Sequence, residues 1–385
     1  GIEIVASKDN IGSSNTGTRG FHDNYLIDSQ LFQRIKDADP SIKRTIVPFM
    51  IASIFFSGNG QVNTSNGHKL SYLFSSRATI MDKVYSDSTV LGRGIVNLRS
   101  ESLMTDPQKS RLHIIFHDSP SLEAGSFLRI GTFEILLSAL EKGYAYSDYL
   151  PFSNQAISDS EFLIVLKCLN SDTSLRAKIS LGGKWFSILD LQEIYFDFLL
   201  NFCLRENVMT KEREAIFLLW RHVLNIAREP NFYEELSPFF GWALKRVILE
   251  RDMKRYGCSF RDLPNRKIRI KGSRNEISLF TRLKFIEFSC MGYYPLGLFF
   301  RNPNSYRILN RENYFARTGH FKAPTLRTRA YARFKQLEQI RKESLDYEFG
   351  CRLEVSWQTV VAQMQNGVFL HEFINNSVFD TNPKI

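Results

Sequence analysis

Six stretches between residues 127 and 291 repeat apolar side chains three and four positions apart, and this spacing constrains the fold more than any other feature. Such spacing places the apolar side chains on one face of an α-helix. The six stretches are 127–142, 159–169, 188–205, 211–227, 233–256 and 276–291. The sequence therefore predicts a mainly α-helical protein.

The residues before these helices show other patterns. Residues 1–24 are rich in Gly and Ser with little periodic apolar signal, which predicts an extended arm. Residues 24–56 predict two helices broken at Pro40. Short β-type runs at 70–74, 78–84 and 112–117 predict a small β-hairpin region.

The chain is expected to form two lobes with an extension at each end. We predict an N-terminal arm at 1–24, an N-terminal lobe at 25–208, a basic C-terminal lobe at 209–345 and a C-terminal arm at 346–385. The second lobe includes a further basic helix at 324–343, and the tail holds one amphipathic segment at 353–365. The predicted fold class is a mainly α, two-lobed helical protein.

Positive charge is concentrated in one region. The chain has a net charge of +10, and residues 245–345 hold 24 Lys and Arg against 8 Asp and Glu. Aromatic residues such as Tyr293, Tyr294 and Tyr306 are interleaved with these cations. Cations that hold phosphates beside rings that stack on bases favour binding of single-stranded nucleic acid. The run 265–275 is also typical of a flexible loop or a nuclear import signal.

No catalytic motif is recognisable in the sequence. GxxxxGK[ST], GxGxxG, GxSxG and HExxH are all absent. We therefore predict that the protein is not an enzyme and that it has no cofactor. His113 and His117 beside Asp118 are candidate metal ligands, but no other residues complete the set, so we expect a structural role and no metal. The turn 182–185 fits either a close approach to phosphate or a helix-to-helix turn.

The cysteines and the apolar runs indicate the cellular compartment in which the protein is expected. The five cysteines lie far apart without a CxxC pair, which predicts buried thiols in a reducing compartment. The most apolar run, 46–56, is too short to cross a bilayer and lies too far into the chain for a signal peptide. We expect a soluble, intracellular protein with no membrane span.

Three stretches, taken in order, resemble the nucleoproteins of non-segmented negative-strand RNA viruses, particularly bornavirus-like and paramyxovirus-like members. They are 164–169 leading to Arg176 and Lys178, then 237–246 (SPFFGWALKR), then 291–296 (MGYYPL) followed by 301–308 (RNPNSYRI). The resemblance covers about 160–345, and it departs from the family at 313–317. It implies two lobes that clamp RNA in a groove and arms that reach neighbouring subunits.

From this resemblance we predict a viral nucleoprotein that coats single-stranded RNA without sequence preference and forms a homo-oligomer through its arms. Its further partners would be a viral phosphoprotein and polymerase, and its location the virion and the host cytoplasm or nucleus. The predicted RNA-binding residues come from both lobes: Lys167, Arg176, Lys178, Lys184, Lys245, Arg246, Arg307, Arg311, Arg317, Arg327 and Arg329.

Two alternatives remain open at this point. A non-viral globular protein could use the basic lobe on a membrane surface or on ribosomal RNA, because clustered cations serve either partner. An enzyme whose catalytic residues follow no recognisable motif would also fit the sequence. Co-purified nucleic acid would distinguish the nucleoprotein from both alternatives.

Overall fold

Short paired strands accompany the helices through most of the chain. The computed structural model describes residues 21–65, 69–99, 106–119, 122–144, 151, 156–270 and 276–290, together with the backbone of three strands between 352 and 372. The chain divides into two compact units, Gly1–Ile308 and Leu309–Ile385.

The described strands of the first unit form five pairs. In chain order they are β1 Asp23–Asp28, β2 Gln61–Ser65, β3 Lys69–Leu73, β4 Lys83–Ser86, β5 Gly94–Asn97, β6 Lys109–Ile114, β7 Ile179–Leu181, β8 Lys184–Phe186, β9 Lys267–Arg269 and β10 Glu276–Ser278. The pairs β1–β6, β2–β3, β7–β8 and β9–β10 are antiparallel, and β4–β5 is parallel. A 3₁₀ turn, Arg77–Ile80, lies between β3 and β4.

The helices of the first unit lie mostly where the apolar spacing predicts them. They are α1 Ser29–Lys36, α2 Pro40–Ala52, α3 Ile54–Ser57, α4 Glu123–Glu141, α5 Asp159–Ser171, α6 Ile188–Arg205, α7 Lys211–Ala227, α8 Phe232–Leu236, α9 Gly241–Arg255 and α10 Leu279–Cys290. The predicted break at Pro40 is confirmed, since α2 begins at that residue. No helix among the described residues is long and apolar enough to cross a bilayer.

Side-chain caps explain several helix starts. Asp39 accepts hydrogen bonds from the backbone N–H of Ser41 and Ile42 at the start of α2. Ser187 and Asp190 form a reciprocal capping box at the start of α6. Thr210 accepts from the N–H of Arg213 at the start of α7. These residues satisfy N–H groups that have no partner inside a helix.

Two tryptophans join distant parts of the chain in the main core. Trp220 of α7 donates to Gln192 of α6 at 2.9 Å, and Gln192 donates to the carbonyl oxygen of Ala52 at 2.7 Å. Trp242 of α9 donates to the carbonyl oxygen of Phe55 at 2.8 Å. The indole N–H groups are therefore satisfied inside an apolar core that extends from Ile27 to Ala243 along the chain.

This shared core corrects the predicted fold class. Side chains of β1, α2, α4, α6, α7 and the start of α9 contribute to one core, so helices and strands pack together. The prediction of a mainly α, two-lobed helical nucleoprotein is therefore wrong. The predicted residue ranges of the arms and lobes stay a prediction, and residues 1–20 of the N-terminal arm lie outside the described part.

The second unit contains a three-stranded antiparallel sheet. Its strands are β11 Arg352–Val355, β12 Thr359–Met364 and β13 Gly367–Glu372, with β12 in the centre. The amphipathic segment predicted at 353–365 thus falls mainly on two strands. The basic helix predicted at 324–343 lies outside the described residues.

Candidate active site

The β1–β6 pair carries a polar face formed by four side chains. Asn24 lies directly opposite His113 in the ladder, and Leu26 lies opposite Arg111, so these side chains point to the same side. Arg111 Nη1 donates to Asn24 Oδ1 at 3.0 Å. His22 Nδ1 lies 3.1 Å from His113 Nε2, with the rings edge-on at 4.8 Å. We call His22, Asn24, Arg111 and His113 the histidine face.

The geometry of the histidine pair limits its protonation. A hydrogen bond between two imidazole nitrogens needs one N–H and one lone pair. Both rings therefore cannot be fully protonated while this contact persists. A ring N–H beside a permanently charged guanidinium suits the binding of an anion.

β1 carries two carboxylates, Asp23 and Asp28. The first points away from the histidine face, and the second forms an ion pair elsewhere. Asp23 is 7% exposed and points into the protein. Asp28, at the far end of β1, pairs with Lys109. Neither of these two carboxylates forms an ion pair with Arg111.

A buried cluster lies behind this face and is centred on Asp23. Asp23 Oδ2 accepts a hydrogen bond from Arg129 of α4, and it lies 3.4 Å from Nδ1 of His117. His117 Nε2 lies 2.9 Å from Ser53 Oγ. Burial lowers the pKa of His117 to about 4, against the raising effect of its hydrogen bond to Asp23. His117 is thus neutral at physiological pH, and among the described residues Arg129 balances the charge of Asp23.

Asp118 fixes the segment that follows β6. Its carboxylate is fully buried and accepts from the backbone N–H groups of Asn59, Ser76 and Arg77 and from the Ser76 hydroxyl. Burial raises the pKa of Asp118, while the hydrogen bonds oppose this change. Arg77 Nε in turn donates to the carbonyl oxygen of Ile115 at 3.1 Å. Two loops are therefore tied to the end of the strand that carries His113.

Helices α9 and α10 hold the start of β2 through charged side chains. Lys245 Nζ donates to the carbonyl oxygen of Gly60 at 2.8 Å, and Lys245 is only 1% exposed. Glu287 accepts from the backbone N–H of Val62 at 3.1 Å and from Lys284 at 2.9 Å. These charges serve the interior, not a surface groove.

The candidate metal ligands do not come together. β6 ends at Ile114, so His113 and His117 do not share a strand face, and each has different partners. In the part of the chain that the structure describes, no group of three or more His, Cys, Asp or Glu side chains could hold a metal ion.

The turn 182–185 joins two strands. Gly182 and Gly183 both have positive φ and connect β7 to β8, so the helix-to-helix alternative is wrong. The phosphate alternative for this turn stays a prediction.

The predicted RNA-binding residues occupy different environments. Lys167, Arg176, Lys178 and Lys184 are exposed. Lys245 is buried, and Arg246 packs over the ring of Phe260 at 3.9 Å and pairs with Glu250. The remaining five lie outside the described residues: Arg307, Arg311, Arg317, Arg327 and Arg329. Anion binding by the exposed cations stays a prediction.

The sequence analysis missed most of the residues assembled here. His22, Asn24 and Arg111 carry no motif, and their proximity depends on strands about 90 residues apart. One usable signal was Arg129, which lies between Leu128 and Thr132 on the buried face of a predicted helix. A charged side chain on an apolar helix face points to a buried partner.

Comparison with known proteins gives one consistent result. The sequence model of the family described as "Pup-ligase protein" matches residues 2–284. A Pup–protein ligase of Jonesia denitrificans is 29% identical over 246 residues, which are 63% of this chain and 50% of that protein. The Mycolicibacterium smegmatis Pup–protein ligase is 26% identical over 264 residues, or 68% and 54% of the two chains. The chain thus spans about half the length of these curated relatives.

Solved structures show the same fold. The Pup ligase PafA in complex with ADP superposes with a TM-score of 0.70 at 18% identity, over 94% of this chain and 71% of that one. The complex between the prokaryotic ubiquitin-like protein Pup and its ligase PafA gives a TM-score of 0.69 at 18% identity, over 97% and 70%. The shared architecture is an α/β fold.

These matches correct the functional predictions. The relatives are bacterial ligases, so the prediction of a viral nucleoprotein is wrong, and so is the prediction that the protein is not an enzyme. Single-stranded RNA, a viral phosphoprotein and a viral polymerase are wrong as partners, and the virion is wrong as a location. The enzyme alternative fits better than the nucleoprotein. Because the family model matches most of its length, the chain belongs to the Pup-ligase family.

Proposed function

We propose that this chain takes part in the ATP-dependent ligation of Pup to target proteins, and that its histidine face binds phosphate groups of the nucleotide. The family match over residues 2–284 carries the proposal, because that range includes all four side chains of the face. The bound ADP of a related ligase structure supports a nucleotide as the ligand.

The chemistry of the histidine face suits phosphate. Arg111 brings a permanent positive charge to the face, and its Nη1 holds the exposed amide of Asn24 in place. The exposed amide of Asn24 adds N–H donors, and the exposed ring of His22, held by its contact with the buried His113, adds a ring N–H. Since the chain spans about half the length of its curated relatives, the proposal assigns to these residues only the holding of phosphate.

The test is conjugation in a purified system. The chain is incubated with Pup, a target protein and ATP, and the conjugate is followed on a denaturing gel. Arg111→Ala and His113→Ala should each slow conjugation by about tenfold or more at ATP concentrations below saturation, as expected when a charge-assisted or buried hydrogen bond of the face is lost. Leu26→Ala is the matched control, because Leu26 lies on the same side of β1 and is 61% exposed.

Two results would count against the proposal. Absence of any ATP-dependent conjugate with the unaltered chain would contradict the assigned ligation. Full activity of both the Arg111 and His113 variants, beside an active Leu26 control, would show that phosphate binds elsewhere.

A further inference from the structure

Asp23 lies between His22 and Asn24 on β1, but its side chain points to the opposite side of the strand, as alternate strand residues do. There its carboxylate meets Arg129 of α4 and His117, which follows β6 by three residues. One buried carboxylate therefore connects α4 to both strands that carry the histidine face.

Burial of the charged Arg129 side chain at this position is energetically unfavourable. It is 1% exposed, and its Nε and Nη2 have no hydrogen-bond partner among the described residues. The ring of Phe21 lies 4.7 Å from its guanidinium carbon, and burial lowers the pKa of Arg129. Apolar side chains of similar volume commonly replace a buried ion pair without loss of stability. Stability alone therefore does not account for this pair.

We propose that the Asp23–Arg129 ion pair positions the histidine face, because it fixes the rotation of β1 about its own axis. A small rotation of the strand would separate His22 from His113 and Asn24 from Arg111. The inference rests on the proposed function for what the face binds, but not for how the face is held. Asp23 and Arg129 are both buried behind the face, so both are positioning residues.

The first test distinguishes a role of the ion pair in positioning the histidine face from a role in stabilising the fold. In the double variant Asp23→Leu/Arg129→Met, the unfolding midpoint should equal or exceed that of the unaltered chain, while affinity for ADP falls by about tenfold or more. Arg129→Lys should stay within about threefold of the unaltered chain, since an ammonium can still pair with Asp23. Ile130→Ala, next to Arg129 on the exposed side of α4, is the matched control.

A second readout is independent of activity. Imidazole nitrogen resonances report the contact between His22 and His113, and they should change in the double variant and in Asp23→Asn, but not in Arg129→Lys or Ile130→Ala. Asp23→Asn keeps the side-chain volume and so preserves the test if the double variant does not fold.

Each outcome of these two tests either supports or overturns the positioning role of the ion pair. Unchanged imidazole signals in a folded double variant, or in Asp23→Asn, would overturn the positioning role. If the unaltered chain binds no ADP, the proposed function fails, and the imidazole signals alone then decide whether the ion pair sets the face.

Discussion

Replacement of Gly60 by alanine should destabilise the protein much more than the same replacement at Gly183. Both glycines have positive φ, +72° at Gly60 and +75° at Gly183. A Cβ on Gly60 would lie 2.0 Å from the Tyr72 hydroxyl oxygen, whereas a Cβ on Gly183 would meet nothing within 4 Å. Tyr72 is 3% exposed and donates to the carbonyl oxygen of Trp242 at 2.8 Å, so it cannot move without losing that bond.

Three terms add up to the expected decrease in the free energy of unfolding. The left-handed backbone costs an alanine about 1–2 kcal/mol at either site. At Gly60 the collision adds about 1–3 kcal/mol for overpacking. Loss of the buried hydrogen bond of Tyr72 adds about 1–3 kcal/mol. We therefore expect a decrease in the free energy of unfolding of about 5 kcal/mol for Gly60→Ala and about 1 kcal/mol for Gly183→Ala.

Urea denaturation followed by far-UV circular dichroism measures both decreases under one set of conditions. Gly257→Ala is a second control, because Gly257 has φ +60° and a Cβ there would meet nothing within 4 Å. A cost at Gly60 within about 1 kcal/mol of the two controls would refute the close packing of Gly60, Tyr72 and Trp242.

Three further predictions follow from buried groups. The pKa of His117 is about 4 in the folded chain and near 6.5 when unfolded. Its contribution of about 3 kcal/mol to the free energy of unfolding is therefore present above pH 6.5 and is lost as pH falls through 4. Urea midpoints measured between pH 7 and 4 should show this loss, and His117→Gln should make them less dependent on pH. Asp118→Asn should cost about 3 kcal/mol in urea denaturation, because an amide nitrogen would face N–H donors, whereas Ser76→Ala should cost about 1 kcal/mol; equal costs would contradict the role of Asp118. Trp242→Phe should lower the thermal midpoint through loss of the bond to Phe55, and an unchanged midpoint would contradict that bond.

Helices were predictable where the signal is local. The ranges predicted for α6 and α7 agree with Ile188–Arg205 and Lys211–Ala227, because apolar spacing and capping residues coincide there. The stretch predicted as one helix at 233–256 is interrupted between α8 and α9. Pro238 and Gly241 lie in or beside that interruption, and they were a usable signal.

β1 illustrates what local spacing cannot provide. Residues 24–28 fit a helical pattern, but they form a strand because β6, more than 80 residues away, supplies the partner. Strand formation depends on such neighbours more than on intrinsic preference. The histidine face could not be predicted from local sequence for the same reason, since its residues meet only when β1 pairs with β6.

The basic region shows why a charge count misled the functional prediction. In the described part of 245–290, cations form ion pairs with carboxylates close in sequence or in space: Arg246–Glu250, Arg251–Glu234, Arg266–Asp262, Arg269–Glu276, Arg282–Asp252 and Lys284–Glu287. Lys245 is buried under Gly60. In this described part, much of the positive charge is therefore held in ion pairs within the fold, and a charge count does not reveal that.

Calorimetric titration of ADP tests the central claim most directly, that the histidine face of this Pup-ligase family member binds nucleotide phosphate. The unaltered chain and the exposed control Leu26→Ala should bind ADP with the same affinity. Arg111→Ala and His113→Ala should each weaken binding by about tenfold or more, as expected for loss of a charge-assisted or buried hydrogen bond. Equal affinity in all four proteins would contradict the account.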